Sequence, residues 1–327
     1  MASYTNDQLI LAARAYYIDQ LPQMEVARLM GVSQAKISRM LTLARERGLV
    51  QITVAESNPR DPVLEERLKH LLKIEAIVIR PILGQHPEEL RQLVGYVAAE
   101  SLLKWLEKAQ AIAIAGGRTI QAVVERMKRF TTSGHADILQ AMGTVDASPG
   151  PFDAVELGLA LTRHWKSTFV RLNAPAILHD AETCEQLFRL EQVRHVMCRL
   201  AEADAALVGI GTLTNSVFAE RGIISPPDEQ TLRKAGAVGE ILGRFYNADG
   251  NECATSFRDR VISLPLETLR KIPIRIGVTT GSDRTIAIRA AIRGGLLNHL
   301  VIDGFGAQAL LEETENPSSP SLSRNKK

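Results

Sequence analysis

Gln34, Lys36, Ser38, Arg39 and Thr42 are the side chains best suited to reading a nucleic acid, and their spacing leaves them on the open side of one helix. The fork of an arginine matches both major-groove acceptors of guanine and the amide of a glutamine matches adenine, whereas Lys36 and Ser38 suit phosphates that fix register. Ile37, Met40, Leu41 and Ala44 recur at i, i+3, i+4 and i+7 and give the same helix an inner face. Ser33 offers a side-chain oxygen to the free amides of a helix that begins at Gln34. Gly31 supplies the backbone freedom for a sharp turn after an earlier helix, which Pro22 opens and which carries Val26, Leu29 and Met30 on one side. A helix-Gly-helix pattern alone would also fit a hairpin that merely packs. The spacing of Ala27, Gly31 and Ser33, the polar outer set, and, between Arg28 and Arg47, five basic residues (Arg28, Lys36, Arg39, Arg45 and Arg47) against the single acid Glu46 favour a DNA-binding helix-turn-helix. Residues 49–54 alternate in polarity, as a strand beside the helices would, so a small wing is expected.

A second set of residues suits an anion. The run Ile112-Ala113-Ile114-Ala115-Gly116-Gly117-Arg118-Thr119-Ile120 reads as a strand entering two glycines and then an amphipathic helix. Backbone amides at such a helix start favour phosphate, and Arg118 and Thr119 can add a charge-assisted and a hydroxyl bond. The same Gly-Gly also serves simple tight packing, and both readings stand at this level. A related turn, Thr279-Thr280-Gly281-Ser282-Asp283-Arg284, sends Arg284 toward the same crevice, and Val208-Gly209-Ile210-Gly211-Thr212 is a third strand end that packing alone would explain equally well. Arg221 and Glu240 are single charges in small or apolar surroundings, for which exposed ion pairing is an equal alternative. The sequence contains no Gly-x-Ser-x-Gly elbow and no His-Glu-x-x-His, and the seven histidines form no ligand cluster by spacing. Cys184, Cys198 and Cys253 lie far apart and read as buried free thiols, with no metal and no cofactor expected.

These residues need two separate scaffolds. Of 327 residues, 45% are apolar, enough for a sizeable core, and the formal charge is +2. Residues 1–60 carry seven Lys or Arg against five Asp or Glu, and the remainder holds 32 of each. A small basic part before a large neutral one fits a DNA reader joined to a sensor better than an enzyme acting along nucleic acid. Domains are expected at 1–56 (helix-turn-helix), 57–62 (linker, with Pro59 and Pro62), 63–314 (effector binding and oligomerisation) and 315–327 (a disordered tail rich in Ser, Pro and charge). Leu64, Leu68, Leu71 and Leu72 form a stripe that serves either the core or a dimer seam. Apolar runs at 76–79, 111–115, 136–142, 168–172, 205–210, 274–279 and 300–302 alternate with helical patterns, which predicts an α/β fold with a mainly parallel sheet covered on both faces. Ligands of such sheets sit at the carboxyl ends of the strands. Neither a membrane span nor a secretory leader is apparent, so a cytoplasmic location is expected.

Taken together, the chain resembles the SorC/DeoR-type bacterial sugar-binding transcriptional regulators over nearly its full length. The resemblance rests on Val26 to Gly48 with Ile37-Ser38-Arg39, on Gly116-Gly117-Arg118-Thr119, on Gly236-Ala237-Val238-Gly239-Glu240 with Leu242-Gly243-Arg244-Phe245, on Leu264-Pro265-Leu266, and on Ala287 to Gly295. It implies a winged helix-turn-helix followed by a domain similar to ribose-phosphate isomerase and glucosamine-phosphate deaminase, assembled as a dimer or tetramer on operator DNA. It further implies a sugar or sugar-phosphate effector, with Gly116, Gly117, Arg118 and Thr119 on the phosphate, Arg221 on a phosphate or hydroxyl, and Glu240 on sugar hydroxyls. Three positions depart from the pattern: Arg284 stands where a Lys is common, Thr280-Gly281 replaces Gly-Gly, and Asn247 replaces an Asp. An arginine cannot form a Schiff base, so Arg284 implies ionic rather than covalent capture. The expected function is a repressor of a carbohydrate or polyol operon. The alternative is a sugar-phosphate isomerase or deaminase fused to a DNA-binding head.

Overall fold

The computed structural model describes residues 4–52, 59–130, 136–148, 150–165 and 167–315. It divides into two compact units, Met1–Asn58 and Pro59–Lys327. In the first, α1 (Asn6–Ala13) runs into a π-helical turn (Arg14–Ile18) and is followed by α2 (Gln23–Met30) and α3 (Gln34–Glu46). Thr5 caps α1 through a reciprocal pairing with Gln8. Gly31 ends α2 in the left-handed region at φ 66°, and the Ser33 hydroxyl accepts the Lys36 amide at 3.3 Å, so the turn and the start of α3 form as their residues dictate. Ile37, Met40, Leu41 and Ala44 are buried with Leu9, Ala12, Val26 and Ala27 in a core of their own. Leu29, expected on the inner side of α2, is 65% exposed, because Ala27 rather than Leu29 meets α3 beside Val26. The expected wing is not formed at residues 49–52, and the rest of that run lies outside the described residues. After Gly48 the amides of Leu49 and Val50 both return to the Ala44 carbonyl, which folds the chain onto the end of α3 instead of extending it.

The second unit holds strands β1 (Glu75–Ile79), β2 (Ala111–Ile114), β3 (Asp137–Gln140), β4 (Phe169–Val170), β5 (Ala205–Gly209), β6 (Gly239–Ile241), β7 (Arg244–Tyr246), β8 (Ile274–Val278) and β9 (His299–Asp303). Its helices are α4 (Pro62–Leu72), α5 (Pro87–Leu106), α6 (Arg118–Met127), α7 (Ala154–Trp165), α8 (Ala181–Arg189), α9 (Glu191–Ala201), α10 (Val217–Glu220), α11 (Pro226–Lys234), α12 (Leu266–Leu269), α13 (Thr285–Arg293) and α14 (Gly304–Glu315). Seven strands form one parallel sheet in the order β1-β9-β8-β5-β2-β3-β4, and each corresponds to an apolar run expected from sequence. Helices cover both faces: α5, α6 and α7 enclose one apolar core and α4, α9, α13 and α14 border the other. From β2 the chain winds outward through β3 to β4, whereas β5 lies on the other side of β2 and leads toward β8 and β9. The winding therefore reverses between β2 and β5, and the crevice between their carboxyl ends is where such sheets take ligands.

Three sequence expectations are adjusted. Residues 59–62, assigned to the linker, belong to the second unit: the Asp61 amide donates to Val78, the Arg80 amide donates to Pro59, and Pro62 begins α4. Glu315, assigned to the tail, closes α14 and pairs with Arg67 at 2.8 Å, while the rest of that tail lies outside the described residues. Leu64 and Leu68 of the leucine stripe belong to the core. Sequence patterning missed the short antiparallel hairpin of β6 and β7, which turns through Leu242 and Gly243, both at positive φ.

Candidate effector crevice and DNA-reading face

Strand β2 delivers Ala115 and Gly116 to the carboxyl edge of the sheet, and the chain must then reverse into α6. Gly117 makes that turn at φ 129°, a backbone conformation closed to other residues, and a Cβ on Gly116 would meet the Phe152 carbonyl at 2.8 Å. The Gly117 amide is already bonded to that carbonyl at 2.7 Å, so it is not part of an anion cradle. The first-turn amides of α6 remain, and no side chain caps them. Thus the two glycines serve close packing, and the amides at the start of α6 are left without a side-chain cap.

Gly116, Gly117, Arg118, Thr119, Glu240 and Arg284 line one cavity together with Arg91, Gly209, Asn215 and Glu220. Arg221 lines an adjoining cavity of about 470 Å³, which shares Gly116, Gly117, Arg118 and Glu220 and adds Thr144, Phe152 and Asp153. The seven residues singled out from sequence therefore surround one bipartite crevice at the reversal of winding. Its total size suits a small polar metabolite.

Charges in the crevice are mostly spoken for. Arg118 pairs with Glu220 at 2.8 Å and lies over the Phe152 ring at 5.8 Å. Arg221 pairs with Asp146 at 3.0 Å. Glu240 stands on β6, where Gly211 bonds its backbone in both directions and leaves room for its carboxylate: a Cβ on Gly211 would meet Oε2 at 2.4 Å. Close packing is thus the role of the Gly211 strand end. The Gly243 amide donates to the Glu240 carboxylate, yet loss of water outweighs that bond and pushes the carboxyl up to about 7. Arg284 follows the Gly281 turn, which Asp303 holds by accepting the Gly281, Phe305 and Gly306 amides at 2.6, 3.0 and 3.2 Å. The Arg284 side chain is 12% exposed, donates to the Thr280 carbonyl at 2.8 Å, and is shifted below the usual guanidinium range by burial. Among the described residues no three metal-ligating side chains gather to hold an ion. Cys198, expected to be buried, is exposed, whereas Cys184 and Cys253 are buried.

Sequence reasoning missed Glu220, Arg91 and Phe152, which line the crevice, and Asp146, which pairs with Arg221 beside it; each comes from an element whose own pattern reads as ordinary surface helix or loop.

On α3, Gln34, Ser38, Arg39 and Thr42 are exposed as expected. Lys36 is half-buried and its ammonium lies 5.7 Å from the Tyr4 ring centroid, so it departs from the centre of the open face. Successive helical residues turn by about 100°, which carries Lys36 toward the flank and brings Arg45 back over Thr42. Arg45 is exposed, donates to the Thr42 hydroxyl at 3.5 Å and joins the same exposed polar face. Arg47 is occupied elsewhere, holding Tyr4 and Asn6 at the start of α1.

Residues 59–312 match a family model described as a putative sugar-binding domain. A transcriptional regulator named LsrR from Enterobacter sp. (strain 638) is 28% identical over 312 residues, covering 94% of each chain. The LsrR of Escherichia coli K12 is 26% identical over 309 residues, covering 93% of this chain and 94% of its own. Among solved structures, a DeoR family transcriptional regulator from Listeria monocytogenes is 28% identical, with a TM-score of 0.70 over 76% of this chain and 98% of its own. The full-length sorbitol operon regulator SorC from Klebsiella pneumoniae, 24% identical, shares the fold with a TM-score of 0.74 over 95% of this chain and all of its own.

Proposed function

The chain belongs to the sugar-binding-domain family, and from that premise we propose that it is a DNA-binding transcriptional regulator whose hold on an operator changes when a sugar or sugar phosphate enters the crevice between β2 and β5. It is a regulator and not an enzyme, in line with relatives that are named as regulators over nearly their full length. The observation that carries the reading is the pairing of two features in separate compact units. One is an exposed polar face on a Ser-capped second helix. The other is a crevice, at the reversal of winding, lined by an uncapped helix start, by Glu240 and by arginines.

In this reading Gln34, Ser38, Arg39 and Thr42 meet the major groove and Lys36 meets a phosphate from the flank. The effector's phosphate takes the first turn of α6 beside Arg118 and Thr119, its hydroxyls donate to Glu240, and Arg221 meets the far end in the adjoining cavity. Arg284 closes the crevice from the β8 side as an ionic contact. Repression of a carbohydrate or polyol operon is the mode favoured. A dimer or tetramer would present paired α3 helices to half-sites about one helical turn or a multiple apart.

The test is a thermal-shift screen against phosphorylated and free sugars and polyols, followed by operator titration with and without the hit. A ligand that binds only the folded state raises the midpoint by mass action, and a true effector must also change operator affinity. Arg39→Ala should weaken operator binding by roughly tenfold or more, the worth of one base contact. A hit that stabilises the protein while leaving operator affinity unchanged would sink the regulatory reading.

A further inference from the structure

Arg91 projects from the first turns of α5, far in sequence from any residue of the crevice, yet it lines the same cavity as Arg118, Thr119 and Arg284. The packing of α5 on α6 explains why. At Gly95 the two helices touch backbone to backbone, since a Cβ there would lie 2.4 Å from the Ala122 carbonyl group. Arg91 is one turn earlier on the same helix face and so comes over the start of α6. Its side chain is 14% exposed and its Nε is buried without a partner, as is the Nε of Arg284.

The acidic partners of this pair are exposed residues at the rim, so an anion inside the cavity would face both guanidiniums. Arg118 and Glu220 satisfy one another, and Glu240 is engaged by Gly243. Arg284 has a backbone carbonyl and the exposed Asp283 carboxylate at 3.6 Å, and Arg91 has Glu88, an exposed residue of its own helix that also accepts from Gln92. Burial and, more weakly, the positive charge of Arg91 disfavour the charged form of Arg284, while the carboxylates of Asp283 and Glu220 favour it. Two half-buried guanidiniums in one cavity repel each other, and an anion between them would relieve that repulsion.

We infer that Arg91 and Arg284 together clamp the phosphoryl group of the effector against the open amides of α6, with Arg91 as a contact supplied by α5. Two planar forks and a helix start match the tetrahedral, multiply charged oxygens of a phosphate ester better than the two oxygens of a sugar carboxylate. The inference rests on the effector reading above and names the part of the crevice that recognises its charge.

The experiment measures binding to the full chain of inorganic phosphate, against chloride at equal ionic strength, and of a panel of sugar phosphates, sugar acids and their neutral parents. Wild type is compared with Arg91→Gln, Arg91→Lys and Arg284→Gln, each first checked for an unchanged melting midpoint without ligand. Removal of a bond to a charged partner should weaken phosphate and phosphorylated probes by roughly ten- to a hundredfold in both Gln variants, with partial recovery in Arg91→Lys and little change for neutral parents. Weakening in Arg284→Gln but not in Arg91→Gln overturns the clamp and leaves the effector site standing. Preference for sugar acids over phosphates overturns the phosphoryl assignment. Wild type that binds only neutral sugars, or none of the probes, overturns the clamp along with the sugar-phosphate reading.

Discussion

At the scale of single residues, Glu240 has the most unusual chemistry in the crevice, because a carboxyl that ordinarily ionises near 4.5 is pushed up to about 7 by its dry setting. Between those two values the folded chain retains a proton that the unfolded chain has lost, so stability falls as pH rises through that window and is level above about 7. The full cost is on the order of 3 kcal/mol, which Glu240→Gln would relieve above pH 7 while still offering an oxygen to the Gly243 amide. The variant should melt higher than wild type at pH 8 and about equally at pH 4, as followed by calorimetry. Function should move the other way. Sugar hydroxyls donate to the charged carboxylate and favour it, so effector affinity in wild type should rise between pH 6 and pH 8. A phosphorylated effector also gains charge near pH 6, and the variant separates the two causes. If Glu240→Gln kept the same pH dependence of binding, the carboxylate would have no part in it. Glu240 was conspicuous in the sequence only as a lone charge among small residues. Its burial comes from Gly211, which no local pattern ties to it.

Elements differ in how far their sequences announce them. Most of the seven parallel strands are legible because they are largely buried and read as near-continuous apolar runs, and α3 is legible because its cap and its inner stripe agree. The β6–β7 hairpin is not, since each strand has three residues and its turn places Leu242 at φ 58°, where sequence rules expect Asn or Gly. The seven sequence-selected crevice residues were legible as glycine turns and isolated charges, but Arg91 was not. On α5 it reads as one more surface arginine, and its position depends on a helix crossing that no spacing rule encodes. That crossing makes a prediction for the element. Gly95→Ala forces a Cβ into the backbone of Ala122 and should cost roughly 1–3 kcal/mol, seen as a fall of several degrees in the melting midpoint. Gly209→Ala is the control: a Cβ there meets nothing within 4 Å, so the midpoint should hold. Equal stability of the two variants would mean that α5 and α6 can separate without cost, and the crossing would then not be what positions Arg91.

For the whole molecule, the question is what one unit can do to the other through equilibrium alone. An effector that binds both the free and the operator-bound protein changes operator affinity only to the extent that it prefers one of them, and linkage then requires the operator to change effector affinity by the same factor. The crevice supplies a local event on which such a preference can rest. Glu220 holds Arg118 at 2.8 Å, and a phosphate arriving at the α6 start competes for the same guanidinium. Glu220 ends α10 and adjoins Arg221, which pairs with Asp146, so the two ion pairs sit on neighbouring residues that line adjoining cavities. Typical coupling of about 1–3 kcal/mol would appear as a 5- to 150-fold shift in operator affinity at saturating effector. The reciprocal measurement is a titration of effector into protein already saturated with operator DNA, which should return a dissociation constant weakened by that same factor if the effector induces release. Glu220→Gln removes the charge that must be displaced, so it should tighten effector binding. An effector dissociation constant identical with and without operator DNA would show that the crevice and the reading helix are thermodynamically independent, whatever either binds alone.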